Sequence, residues 1–107
     1  MAAKSPSLAV IISPTAIEDL KMIWLWNAER YNDHHADRYA AFLSKAIYSL
    51  ATQHAKGRIV SSRPDLRYII IKQRNRGHGH LAVYGTDESR VNVFHIFHTA
   101  QDWQAKL

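Results

Sequence analysis

Residues 8–31 read LAVIISPTAIEDLKMIWLWNAERY, and the architecture follows from how this stretch divides. Leu8–Ile12 is a short β-branched run stopped by Ser13-Pro14, which is the length and composition of a buried strand. Ser13 is a good helix N-cap, and Pro14 suits the first helical position, where a missing N–H costs nothing. Ala16, Ile17, Leu20, Ile23, Trp24, Asn27, Ala28 and Tyr31 then recur every three or four residues, so a helix to about Arg30 has one apolar face and must pack on something. Trp26 lies off that face and is free to meet a partner.

Working outward, Asn32-Asp33 offers a second cap. Ala36, Tyr39, Ala40, Leu43, Ala46, Ile47 and Leu50 then carry a helical pattern to about His54. Two helices joined by so short a link form an antiparallel hairpin. The aromatic residues on these helices, Trp24, Tyr31, Tyr39, Phe42 and Tyr48, are assigned mostly to the core. Residues 55–66, with Gly57, Pro64 and two serines, read as a loop. Strands follow at Arg67–Arg74, Leu81–Thr86 and Arg90–His98, with Tyr84 and Phe97 in the sheet core. Turns fall at Asn75–Gly79 and Asp87–Ser89, and Thr99–Leu107 makes a helical turn or two around Trp103. The order β-α-α-β-β-β, with a short terminal helix, is an α+β fold. A helical hairpin covers one face of a mainly antiparallel sheet and leaves the other partly open.

A chain of 107 residues, 47% apolar and 21% charged, is expected to fold as a single globular domain over 1–107, with a flexible lead at 1–7. The absence of cysteine excludes a disulfide framework, a thiolate metal site and a cysteine nucleophile, and fits the cytoplasm. No apolar run approaches 18 residues and no signal-peptide pattern opens the chain, so membrane insertion is not expected.

The net charge of +5 is local. Residues 1–55 carry five cations and five acids; residues 56–76 carry Lys56, Arg58, Arg63, Arg67, Lys72, Arg74 and Arg76 against Asp65 alone. Lys72, Arg74 and Arg76 recur at period two, which on a strand places them on one face, with Arg67 near its start. Such a row is either a solvated, aggregation-resistant edge or a docking surface for phosphates or an acidic peptide. Of seven histidines, His78, His80, His95 and His98 fall in the C-terminal half, and His95 and His98 point to opposite faces of their strand. They form no recognisable metal-ligand set, and no cofactor motif is present. One of them could serve as a general acid or base on RNA.

Several short motifs, in this order and spacing, resemble the ParE/RelE superfamily of toxins from type II toxin-antitoxin modules, and the ParE branch more closely. They are Ser13-Pro14-x-Ala16-x-x-Asp19-Leu20, Ile23-Trp24, Arg63-Pro64-Asp65-Leu66-Arg67-Tyr68, Gly79-His80-Leu81-Ala82-Val83-Tyr84, and Val93-Phe94-His95-Ile96-Phe97-His98 with Asp102-Trp103. The resemblance implies the same β-α-α-β-β-β fold and a cognate antitoxin that wraps an acidic segment over the toxin, so that DNA is reached only through the antitoxin. The ParE branch, associated with plasmid stabilisation, poisons DNA gyrase; the RelE branch cuts messenger RNA in the ribosomal A site. Of the RelE-type catalytic cations, two fall on Lys72 and Arg74, but the others fall on Leu81 and Gln101, and only His98 stands near the terminal tyrosine. The resemblance therefore favours a binder using Arg67, Lys72, Arg74 and Arg76 over a ribonuclease using Lys72, Arg74 and His98.

Overall fold

The computed structural model describes residues 7–107. Apart from Ser7, the flexible lead expected at 1–7 lies outside the described residues. Strand β1 (Ala9–Ile12) leads into α1 (Pro14–Arg30), α2 (Asp33–Tyr48) and the single turn α3 (Leu50–Gln53). Four further strands follow: β2 (Arg58–Val60), β3 (Arg63–Ile71), β4 (His80–Thr86) and β5 (Arg90–His98). The sheet order is β1-β5-β4-β3-β2, with β1 parallel to β5 and every other pairing antiparallel.

Both helix starts are capped as the sequence requires. Ser13 Oγ accepts from the Ala16 N–H at 3.0 Å and donates to the Phe94 carbonyl at 3.0 Å, so one hydroxyl caps α1 and ties it to β5. Asn32 Oδ1 accepts from the His35 N–H at 2.8 Å. Leu20 and Ile23 of α1 and Leu43 and Ile47 of α2 bury their face against Ile71, Ala82, Tyr84, Val91, Val93 and Ile96 of the sheet. The opposite sheet face carries a second cluster, Val60, Leu66, Leu81, Val83 and Phe97, on which Trp103 and Leu107 fold back. Tyr84 and Phe97 are core residues, as expected, and Trp103 sits in a short 3₁₀ turn, Trp103–Lys106.

Pairing between β4 and β5 slips by one residue at Phe94: Val83 pairs with His95 and Tyr84 with Val93. This β-bulge changes the alternation along β5. Val91 and Val93 face the helices before it, Ile96 after it, and His95 stacks on Phe97 on the far side, at 4.9 Å between centroids.

Four expectations are corrected. Residues 55–66 are not a loop throughout, because Arg58–Val60 forms strand β2 and pairs with Arg63, Arg67 and Tyr68 of β3 as an edge hairpin around Ser61-Ser62, and β3 itself starts at Arg63. Pro64 is tolerated there as the second residue of its strand, beside an irregular register. Strand β3 ends at Ile71 rather than Arg74, since its last partner, His80, opens β4. A Cβ on Gly79 would collide with the Ile71 carbonyl, so the missing side chain is what lets the returning backbone come this close to the end of β3. The second helix breaks at Ser49, whose hydroxyl takes the Ala46 carbonyl, instead of running unbroken to His54. Tyr31 and Tyr48 are exposed rather than core: Tyr31, the C-cap of α1, packs on His35 at the rim of a groove, and Tyr48 lies off the helix face that buries Ile47 and Leu50.

Candidate functional site

A broad concavity lies where α1 and the start of α2 overhang the ends of β4 and β5. It is an open groove of about 850 Å³, lined by Met22, Trp26, Tyr31, His35, Tyr39, Gln73, His78, His80, Ile96, His98 and Gln101, among others. Its helical rim is strongly apolar: Met22, Leu25, Trp26 and Tyr31 are all about half exposed. Apolar surface concentrated in this way marks an interaction site. Tyr31 packs on His35 with centroids 4.3 Å apart and meets Trp26 edge-on at 6.4 Å, while the Arg30 guanidinium lies 5.4 Å over the Trp26 ring.

The floor of the groove is a histidine corner. Tyr39 Oη and His80 Nδ1 share a hydrogen bond of 2.6 Å. Burial, and then the neighbouring His98, push the His80 pKa down to about 4, so this imidazole is neutral at pH 7; burial also raises the Tyr39 phenol. His98 Nδ1 accepts from the Ala100 N–H at 3.1 Å, and the His98 N–H donates to Gln101 Oε1 at 2.8 Å. Gln101 thus ends β5 by hydrogen bonding. Among the described residues, no group of three or more His, Cys, Asp or Glu side chains is placed to hold a metal ion.

The four cations expected to act together are split. Arg67 lies on β3 opposite Tyr84, and its guanidinium donates to the Gly57 carbonyl at 2.8 Å, which fastens the segment before β2. Lys72, Arg74 and Arg76 lie past the other end of β3, in the turn 72–79, so they do not line one strand face. They are exposed, and among the described residues they make no ion pair. Gln73 and His78 of the same turn form one wall of the groove, which brings these cations beside it.

The residues of the alternative catalytic set lie on two segments, Lys72 and Arg74 in the turn after β3 and His98 at the end of β5. No hydrogen bond joins Lys72 or Arg74 to His98 among the described residues. Leu81 is 2% exposed in the far-side cluster, where an uncompensated charge would be expensive. The ring group at Tyr31 and His35 escaped sequence reading. Its one available signal was Trp26, off the packing face by helical periodicity.

A two-helix hairpin on a five-stranded mixed sheet is the α+β arrangement of the ParE/RelE-like fold. The solved chromosomal ParDE toxin-antitoxin system from P. aeruginosa shares it, with a TM-score of 0.73 at 14% identity over 87% of this chain and 97% of that one. No curated protein sequence matches significantly. The family model for the ParE toxin of the type II toxin-antitoxin system parDE matches residues 10–103, and the chain belongs to that family. Membership implies a cognate antitoxin partner. Among the described residues, no helix is long and apolar enough to cross a membrane.

Proposed function

We propose that this ParE toxin arrests growth in the cytoplasm by holding a target protein, DNA gyrase, without covalent chemistry of its own. An acidic segment of the cognate antitoxin neutralises it. The observation that carries this reading is the pairing of three exposed, unneutralised cations, Lys72, Arg74 and Arg76, with a groove whose helical rim exposes Met22, Leu25, Trp26 and Tyr31. An amphipathic acidic chain gains on both counts: its apolar side chains leave water on the rim, and its carboxylates meet the turn. Ribonuclease chemistry is less well supported, because phosphoryl-transfer catalysis needs cations held in place before reaction.

The test is induced expression in bacteria, read for growth, cell shape and DNA-damage response, together with gyrase supercoiling by purified enzyme in the presence of the toxin. Filamentation with inhibited supercoiling, both reversed by the antitoxin, is expected. Cleavage of messenger RNA on translating ribosomes, abolished by His98→Ala, would overturn the binding account, and unimpaired growth would overturn toxicity itself.

A further inference from the structure

Three imidazole rings meet at the floor of the groove, and the fold takes the same nitrogen from each. His98, at the end of β5, lies 5.5 Å, centroid to centroid, from His78 of the turn and 5.3 Å from His80 at the start of β4. His98 Nδ1 accepts from the Ala100 N–H at 3.1 Å, which fixes the tautomer: that nitrogen is bare, so Nε2 carries the hydrogen. His80 Nδ1 lies 2.6 Å from the Tyr39 hydroxyl, and His78 Nδ1 lies 3.3 Å from the Thr99 hydroxyl. Tyr39 has no other acceptor among the described residues, and Thr99 Oγ1 already accepts from the Gly79 N–H at 3.0 Å, so each hydroxyl has its own hydrogen to give. In both pairs the hydroxyl donates, and the ring again keeps its hydrogen on Nε2.

None of the three Nε2 atoms has a hydrogen-bond partner among the described residues. His78 and His98 are exposed, and His80 Nε2 is open to solvent, since no buried side-chain nitrogen or oxygen is left without a partner. All three rings line the groove, and so does Gln101. Gln101 Oε1 accepts from the His98 N–H at 2.8 Å, which leaves its amide hydrogens to offer. Lys72 passes the same corner: a Cβ on Gly79 would come within 2.8 Å of its Cγ. Two acids of α1, Asp19 and Glu29, also line the groove, but Asp19 Oδ2 accepts from the Ile96 N–H at 2.9 Å, and neither forms an ion pair with these rings.

We propose that this corner is a carboxylate site, in which His80 and His98, with His78 and Gln101 beside them, hold one Asp or Glu side chain of the antitoxin's acidic segment. A carboxylate accepts at both oxygens and donates at neither, so it satisfies several neighbouring N–H groups at once, whereas an amide or hydroxyl brings a hydrogen of its own among them. Bonds to the ionised acceptor are also the stronger kind. The Nδ1 bonds hold the rings in their tautomers beforehand, which lowers the ordering cost of binding. That the carboxylate belongs to the antitoxin rests on the proposed function; the chemistry of the corner does not.

Long-range proton–nitrogen NMR of the full chain at pH 8 reads the tautomers, and titration with sodium acetate against sodium chloride at matched ionic strength reads the site. The Nε2–H form is expected at all three rings, with the His80 and His98 Nε2 resonances moving saturably on acetate and not on chloride. A double-mutant cycle in the toxin–antitoxin complex reads the source. Changing one antitoxin acid to its amide should weaken binding about tenfold or more to the wild-type toxin and no more than about twofold to His98→Phe, with His80→Phe in its place if that variant folds poorly. An Nδ1–H tautomer at His80 or His98, or acetate shifts no larger than those of chloride, would overturn the site. Tighter binding of dimethyl phosphate, a mimic of the nucleic-acid backbone with the same charge, would overturn the choice of carboxylate. Tight antitoxin binding with no acid coupled to either ring would overturn the antitoxin as its source and leave the proposed function standing; no antitoxin binding at all would overturn both.

Discussion

Gly57→Ala places a methyl group where the Tyr84 hydroxyl already sits. A Cβ built on Gly57 runs into Tyr84 Oη and comes within 2.8 Å of Cζ and 3.0 Å of Cε1. Neither side can easily give way. Tyr84 is fully buried in the helix-side cluster, and its hydroxyl donates to the His54 carbonyl at 2.6 Å. The Gly57 carbonyl is held by the Arg67 guanidinium at 2.8 Å. The backbone at Gly57, φ −65° and ψ 152°, suits alanine, so the penalty is steric rather than conformational. Losing the tyrosine hydrogen bond costs about 1 kcal/mol, and overpacking a rigid core about 2 more. A total of about 3 kcal/mol lowers Tm by roughly 12–24 °C in a domain of this size. Tyr84→Phe alone costs about 1 kcal/mol, but it removes the atom that the new methyl meets first. In that background Gly57→Ala should cost about half as much, giving a coupling energy of about 1–2 kcal/mol. Urea unfolding of the wild type, both single variants and the double variant measures this. Equal costs in the two backgrounds, or a single-variant loss below about 0.5 kcal/mol, would refute the account of how this segment is fixed.

Acidification should weaken the fold through His80. Above pH 6.5 the ring is neutral whether folded or not; as pH falls from 6.5 towards 4 the unfolded chain takes the proton first, and about 2 kcal/mol is lost once the ring's partial solvent contact is allowed for. Urea midpoints at pH 7 and 4.5, with His80→Gln as control, check the sign. Ser13→Ala removes the α1 cap and the bond to Phe94 and should cost about 1–2 kcal/mol by thermal unfolding. Trp26→Ala, at a side chain 55% exposed, should change stability by less than about 0.5 kcal/mol, yet weaken capture of the antitoxin by about tenfold or more in a binding titration. Reversing Lys72, Arg74 and Arg76 to glutamate should leave Tm nearly unchanged while lowering antitoxin affinity and flattening its salt dependence.

The elements visible in the sequence are those whose cause is local. Ser13-Pro14 carries its own cap, the α1 and α2 faces carry their own period, and Leu81–Thr86 and Arg90–His98 carry their own strand propensity. Arg58–Val60 and the start of β3 were hidden because Gly57, the serines and Pro64 are loop-like in isolation; their pairing is set by contacts that place Val60 and Leu66 under Phe97 and Trp103. The end of β3 is obscured in the sequence for the converse reason. The alternating cations extend a strand pattern past Ile71, but a strand stops where its partner stops, and β4 begins at His80. The groove was out of reach of local reading because α1, α2, the turn and β5 each supply only part of its lining.

Moving Lys72, Arg74 and Arg76 from a strand face to a turn changes what they can do. On a central strand, neighbouring side chains and the ladder would hold three cations in fixed register, which is what stabilising a phosphoryl transition state demands. In the turn they have no ion-pair partners among the described residues to hold their side chains, so they can follow a partner's carboxylates but are not pre-organised around a reacting atom. Exposed pairs of this kind contribute little affinity each, roughly 0–1 kcal/mol, and act mainly on encounter rate. Under the proposed function, the affinity of the antitoxin is expected to come from the apolar rim at Met22, Leu25, Trp26 and Tyr31, with the charges bringing the acidic chain to it. On this reasoning rim substitutions should raise the dissociation rate, and turn substitutions should lower the association rate.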